Sequence, residues 1–342
     1  MGQLFRKNGK KCILAVILLI SMSAHSIFAT GVLTDNERTA ISALSGNIVY
    51  SLNDAKQQRY FKANYIKNLN HDLDTIAIGS SYMLSLSSTD VGNSNFANLA
   101  VGAANLQDRI NILGLLDCYN IKYNNIILEL DMRSFFEGDA FTLNDANNAF
   151  NKYGNYFLEV ISGTENPSKP SLDFNDSYVN EFDFSKELIK KDYTQYDLDP
   201  YMYYYRPDGS LIKADANLLF DDKYKNDTRQ AVIAGDKALE PVHMYAKSID
   251  VVSKLAEYFH NKGIKVTFVI APRSNYCYDT AGLKNFSLPQ EITAFLSELS
   301  TRYGYTFRGS FNPYDLGMTE ADFDDGFHLN EAAVKKLVSG ER

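Results

Sequence analysis

The chain has 342 residues, 45% of them hydrophobic and 22% charged, enough apolar material for a buried core and too little charge for a disordered chain. Its net charge is −8 with a pI near 5.2, which argues against a protein that grips a nucleic-acid phosphate backbone. That length allows one large domain or two small ones.

The first segment, MGQLFRKNGKK, is basic and has no acid. An apolar run follows from Cys12 to Ala29. A basic start before an apolar run is an export signal, read here over residues 1–30 as a signal peptide or an uncleaved membrane anchor. The run is at the short end for a membrane span, which needs ~20 residues. Either way the positive end stays inside and the bulk of the chain is translocated. The protein is therefore expected outside the cytoplasm: periplasmic, at the cell surface or secreted. Residues 31–71 read as a helical or extended lead-in.

From residue 72 strands and helices alternate. DLDTIAIGSS is a short apolar, β-branched run closed by Gly79, Ser80 and Ser81, the pattern of a buried strand. NFANLAVGAAN repeats the form, ending at Gly102 and Asn105. LQDRINILGLLDCYN has apolar residues at helical spacing, and NNIILELDMRSF reads as a third strand. After a long middle section, YAKSIDVVSKLAEYFHNKG is an amphipathic helix ended by Gly263, and IKVTFVIAP is a fourth strand. PQEITAFLSELSTRYG is a helix, YTFRGSF a weaker fifth strand, and LNEAAVKKLVSG the final helix. Strands alternating with helices mean a parallel sheet covered on both faces. The expected fold is α/β, a flavodoxin-like doubly wound sheet of about five parallel strands over residues 72–342. In such sheets the site lies outside the carboxyl ends of the strands.

Residues ~139–240 interrupt the alternation with a polar, acidic, Tyr-rich stretch that includes YMYYYRPDGS. A connection of this length usually forms a lid or a binding surface. Of the three cysteines, Cys118 and Cys277 could form one disulfide or remain two free buried thiols. No CxxC or Cys/His cluster suggests a structural zinc.

Candidate chemistry gathers at strand ends. A serine at a strand-to-helix turn suits a nucleophile, because its own N–H can help hold an oxyanion, and Gly79 permits the tight turn. Serine is also a common helix N-cap, so Ser81 alone decides nothing. Near the C-terminus DFDDGFHLNEAAVKK carries Asp325 three residues before His328. At that spacing a carboxylate can hold one imidazole nitrogen and leave the other as a base. Asp322 and Asp324 read as solvated charges. Asp131 and Arg133 follow the third strand: Arg133 could contact an oxyanion or an anionic glycan, an ionised Asp131 cannot donate, and the two could instead form a structural ion pair.

Taken together, GSS after the first strand and DxxH before the last helix resemble the SGNH (GDSL-like) hydrolases. The match is to their membrane-anchored branch, which works beside membrane-bound O-acyltransferases in cell-envelope glycan acylation. The D-alanyl transfer protein and the alginate and peptidoglycan O-acetyltransferases are similar. The resemblance covers about residues 72–138 and 240–340 in scattered blocks. It places the nucleophile on Ser81, the base on His328, its orienting acid on Asp325, and the oxyanion donors on the Ser81 and Gly102 amides. The family's third block is typically GxND, and here that strand end reads LELDMRSFF with no Asn. Asn105 or Arg133 would have to replace it.

The resemblance implies a serine esterase or O-acyltransferase that needs no metal or organic cofactor. Its substrate would be an acylated polysaccharide, and a membrane-bound O-acyltransferase is an expected partner. A non-catalytic glycan-binding or scaffold module of the same fold is the alternative. The two readings differ in the expected distance between Ser81 Oγ and His328.

Overall fold

A computed structural model of the chain describes residues 34–51, 54–174, 188–189, 198, 202–213, 215, 219–240 and 242–340. The expected export segment and much of the Tyr-rich stretch lie outside these residues. Among the described residues no helix is long and apolar enough to cross a membrane.

The chain opens with α1 (Asp35–Leu44), β1 (Ile48–Ser51) and α2 (Ala55–Asn68). Asp54 caps α2 by accepting from the N–H groups of Lys56 and Gln57 at 3.0 and 2.8 Å. These elements do more than lead in. Ala40, Ala43, Tyr60, Phe61 and Ile66 belong to the main hydrophobic core, and α2 is buried on nearly every face. Its polar side chains are buried with partners, as burial requires. Arg59 forms a bidentate pair with Asp108, both bonds 2.7 Å.

The expected sheet follows. Its strands are β2 (Leu73–Ile78), β3 (Phe96–Asn98) and β4 (Tyr123–Glu129), with α3 (Ser88–Val91) and α4 (Leu106–Cys118) between them. After β4 the chain adds α5 (Asn151–Ile161), β5 (Leu188–Ile189), β6 (Tyr203–Tyr205), β7 (Leu211–Lys213) and α6 (Asp222–Lys237). The alternation resumes with α7 (Ala246–Asn261), β8 (Lys265–Ile270), α8 (Asn275–Ala281), α9 (Ser287–Tyr303), β9 (Thr306–Gly309) and α10 (Glu331–Ser339).

The five parallel strands lie in the order β3-β2-β4-β8-β9, flanked by helices. This is the doubly wound α/β architecture expected. Ile76, Ala77, Ile78, Leu128, Phe268 and Ile270 are all fully buried, which is why these strands read as apolar runs without alternation. From β2 the chain steps to β3 on one side, then crosses to β4 on the other. The winding reverses there, and the loops after β2 and β4 diverge to leave a crevice.

A second sheet was not legible in the sequence. It is antiparallel, in the order β5-β1-β6-β7, and joins the N-terminal segment to the insertion. Its strands are two to four residues long. The β6–β7 turn, RPDGS, is driven into the body of the protein. Asp208 Oδ2 accepts from Ser88 N–H at 2.6 Å, its carbonyl accepts from Asn98 N–H at 2.8 Å, and Leu211 N–H donates to the Leu84 carbonyl at 2.7 Å. Gly209 has φ +81°, and a Cβ there would come within 2.7 Å of the Asn98 carbonyl, so both backbone and space demand glycine. Buried Lys62 closes the joint, donating to the carbonyls of Asn98 at 2.6 Å and Gly209 at 2.5 Å. Phe61 stacks on Tyr205 beside it, centroids 3.8 Å apart.

Cys118 and Cys277 are both buried and both free, so of the two alternatives it is the unpaired thiols that the fold contains. Lys62→Met is expected to leave two buried carbonyls without a donor and to cost about 2–4 kcal/mol of stability. A urea titration showing an unchanged midpoint would refute this role for Lys62.

Candidate functional site

Ser81 opens a single 3-10 turn, Ser81–Met83, directly after β2. As the first residue of that turn its N–H has no acceptor within the helix. The turn is tight because Gly79 passes close to β4. A Cβ at Gly79 would lie 2.9 Å from both Cβ and Oε2 of Glu129. The next residue, Ser80, donates its N–H to Glu129 Oε2 at 2.7 Å. Glu129 is itself held by Arg109 of α4, which donates from Nη2 to Oε2 and from Nε to the Glu129 carbonyl, both at 2.7 Å. Both side chains are 0% exposed. Burial pushes the Glu129 carboxyl upward, with Arg109 and the Ser80 N–H opposing it.

The other half of the site is the loop before α10. Gly326, at φ +93°, turns the chain so that Asp325 folds back over its own loop. Asp325 Oδ1 accepts from the N–H groups of Phe327 at 3.2 Å and His328 at 2.8 Å. Its Oδ2 lies 2.5 Å from His328 Nδ1. A carboxylate only accepts, so Nδ1 carries the proton and Nε2 is left as an acceptor. Ser81 Oγ donates to that Nε2 across 2.7 Å. Three residues separated by up to 247 positions thus form one continuous hydrogen-bonded chain.

Burial pushes the His328 imidazole below its usual value, more than Asp325 raises it, so the ring is neutral at pH 7. Burial also disfavours the Asp325 anion, but His328, the loop amides and Lys213 outweigh it and hold the carboxyl at about 2. Aromatic rings fix the imidazole: Phe327 lies over it with centroids 3.6 Å apart, and Tyr82 flanks it at 5.3 Å.

Asp322 and Asp324, expected as solvated charges, are both engaged. Asp322 accepts from Thr319 N–H at 2.8 Å, and Asp324 pairs with Lys213 of β7 at 2.8 Å. The loop is therefore clamped to the insertion on one side and to its own preceding turn on the other.

Ser81, Asp325 and His328 open into a cavity of about 730 Å³. Its walls come from the loops after β2, β3 and β4 and from the insertion, including Lys213, Phe220 and α6. Of YMYYY, Tyr203 faces the cavity, whereas Tyr204 and Tyr205 are buried, so the Tyr-rich stretch is in part core rather than binding wall.

The expected oxyanion donors fare unevenly. Gly102 lines the cavity, but its N–H already donates to Gln58 Oε1 at 2.5 Å. Asn105 does not offer its amide: it caps α4, and its NH₂ donates to the carbonyls of Asp139 at 2.7 Å and Thr142 at 3.0 Å. Arg133 reaches the cavity wall but is paired with Asp139. Asp131 caps its own 3-10 turn, accepting from Ser134 N–H at 3.1 Å and Oγ at 2.8 Å. Both Asp131 and Arg133 thus serve local structure.

Sequence reasoning missed Gln58, Tyr82, Arg109, Glu129 and Ala103. Ala103 is an exposed non-glycine residue at φ +52° on the cavity wall, and among the described residues no hydrogen bond engages its N–H. GAAN carries no signal for that conformation. Arg109 and Glu129 did carry one: each is a charge inside an apolar run, where only a buried partner makes it tolerable. Among the described residues no group of His, Cys, Asp and Glu side chains could hold a metal ion.

Neither a family model nor a curated protein matches the chain. A solved structure from Streptococcus pneumonia, described as a "putative platelet activating factor", is similar over 84% of this chain and 91% of that one, at 10% identity and a TM-score of 0.38.

Two outcomes follow from the site's electrostatics. Asp325→Asn removes the charge that raises the His328 pKa, so the imidazole should titrate at still lower pH by NMR; an upward move would contradict the assignment. Arg109→Leu strands a buried carboxylate and should cost about 3–5 kcal/mol in chemical denaturation.

Proposed function

We propose that this protein is a serine-dependent acyl esterase or O-acyltransferase. The observation that carries the reading is the hydrogen-bonded chain from Ser81 Oγ through His328 to Asp325, opening into a cavity. It is the geometry in which a weak hydroxyl nucleophile is activated by an adjacent base, itself oriented by a carboxylate.

In this reading Ser81 Oγ attacks the carbonyl carbon of an ester while His328 Nε2 takes the hydroxyl proton. Asp325 stabilises the resulting imidazolium and keeps the ring in place. The oxyanion is met by backbone amides, with Ser81 N–H as one donor and the Gly102–Ala103 turn supplying the other. Such donors typically contribute about 3–4 kcal/mol each. Collapse of the tetrahedral intermediate expels the alcohol, which takes the proton from His328. The acyl group is left on Ser81. A water or a sugar hydroxyl then attacks and His328 accepts its proton; as the acyl–Oγ bond breaks, His328 returns that proton to Ser81 Oγ and the hydroxyl is restored. Hydrolysis and transfer differ only in which hydroxyl enters.

The resemblance of GSS and DxxH to SGNH hydrolases of the glycan-acylating branch supports an acylated cell-envelope or secreted polysaccharide as substrate. The N-terminal basic and apolar segment supports action outside the cytoplasm. The same resemblance makes a membrane-bound O-acyltransferase the partner to look for. The alternative, a glycan-binding scaffold with Ser81 as a mere cap, expects Ser81 Oγ far from His328, and the two are 2.7 Å apart.

Ser81→Ala and His328→Ala should each lower turnover of chromogenic esters by at least ~10³-fold, and a fluorophosphonate probe should label Ser81. Turnover equal to wild type in both variants would remove the catalytic reading. The pH profile gives a separate check. His328 must be neutral to act as base, so kcat/KM should rise with pH and reach its plateau through a midpoint below 6.5. A midpoint above 6.5 would mean that another group controls the rate.

A further inference from the structure

We propose that the cavity beside Ser81 is an acyl-chain pocket, and that the favoured acyl group carries an apolar chain of several carbons rather than acetyl. The proposal rests on Ser81 being the nucleophile and names what it acylates. Three observations lead to it.

The first is the chemistry of the walls. The insertion and the turn after Ser81 contribute Leu84, Leu211, Phe220, Val232 and Leu239. Four of these are buried and the fifth half-buried. The loops after β3 and β4 contribute a different set: Gly102, Asp131, Arg133 and Asp139, with Gln58 beside them. The first wall also carries Tyr203 and Lys213 but is the more apolar and matches a hydrocarbon; the second also carries Phe136 but is the more polar and matches a hydroxyl-bearing group. An ester has those two halves, so the acyl chain goes to the insertion side and the alcohol to the polar side.

The second is size. At about 730 Å³ the cavity falls in the range that encloses a drug-sized ligand. An acetyl group would leave most of it filled with water against apolar side chains, and a longer chain would displace that water.

The third is that the apolar wall is fixed in place. Buried Asp236 of α6 accepts from Arg273 Nε and Nη2, both at 2.9 Å, and Arg273 also bonds the Tyr82 hydroxyl next to Ser81. Lys213 pairs with Asp324 beside the His328 loop. The insertion is therefore tied to both halves of the site, and the pocket is formed before any ligand arrives.

The test is a series of p-nitrophenyl esters from acetate to octanoate. With each methylene that enters the pocket, kcat/KM should rise about fourfold over the first several carbons. Gly235→Phe should then lower the octanoate-to-acetate ratio at least about tenfold. Gly235 lines the cavity within α6, and a Cβ there meets nothing within 4 Å, so the larger side chain enters open space and the helix loses a poor former. Ser81-dependent turnover that is flat or falls from acetate to octanoate overturns the acyl pocket and leaves the serine enzyme standing. A preference that follows the alcohol chain instead, seen by comparing the isomers hexyl acetate and ethyl hexanoate, also overturns it. If no ester is turned over and no serine is labelled, the enzyme reading fails. The pocket is then tested alone, with dansyl-undecanoic acid as a fluorescent probe of the Ser81→Ala protein: saturable binding weakened by Gly235→Phe supports it, and no binding overturns it.

Discussion

The buried Arg109–Glu129 ion pair is the constraint around which this site is built. Taking two charges out of water costs several kcal/mol per ion, and here both are fully buried. The pair recovers that cost only through geometry, and the geometry is local to the site. Glu129 ends the central strand β4 and reaches sideways to the Ser80 amide, so the strand that forms the middle of the sheet also fixes the turn that carries Ser81. Arg109 in α4 braces the carboxylate from below through both the side chain and the carbonyl of Glu129. Among the described residues some groups in this cluster have no hydrogen-bond partner, including Arg109 Nη1, Glu129 Oε1 and Ser80 Oγ. What the cluster does in the structure is positional: it ties the Ser80 amide, and with it the turn of Ser81, to the end of β4.

Around that anchor the insertion acts as a second frame. Its β6–β7 turn is held from inside by Lys62 and Asp208, its β7 by Asp324, and its α6 by Arg273. The two frames meet at Tyr82, which touches Arg273, Phe327 and His328. Pre-organisation of this kind holds the serine and the imidazole at hydrogen-bonding distance without the entropy loss that mobile side chains would incur. The depressed His328 pKa has the same origin, since the rings and walls that hold the imidazole also exclude the water that would solvate its cation.

Much of the sheet was legible because its signals are local. β2, β4 and β8 are buried on both faces and so appear as short apolar runs, and the helices between them keep their period. Ser81, Asp325 and His328 were legible for a related reason: each sits where a strand or loop gives way to a helix, and DxxH is a contact along the chain. The small sheet was not legible. β1, β5, β6 and β7 are too short to show alternation, and what makes them strands is one another. The roles of Gln58 and Asn105 were also hidden, since both depend on partners more than thirty residues away.

The sequence by itself determined the doubly wound sheet and the pairing of Asp325 with His328, because periodicity, turn residues and short spacings are properties of neighbouring residues. Only the tertiary structure decided that Ser81 meets His328, that Glu129 holds the serine turn, and that the insertion closes an apolar wall over them. Those are contacts between residues far apart in the chain, and their geometry exists only once burial has brought the strands and helices together.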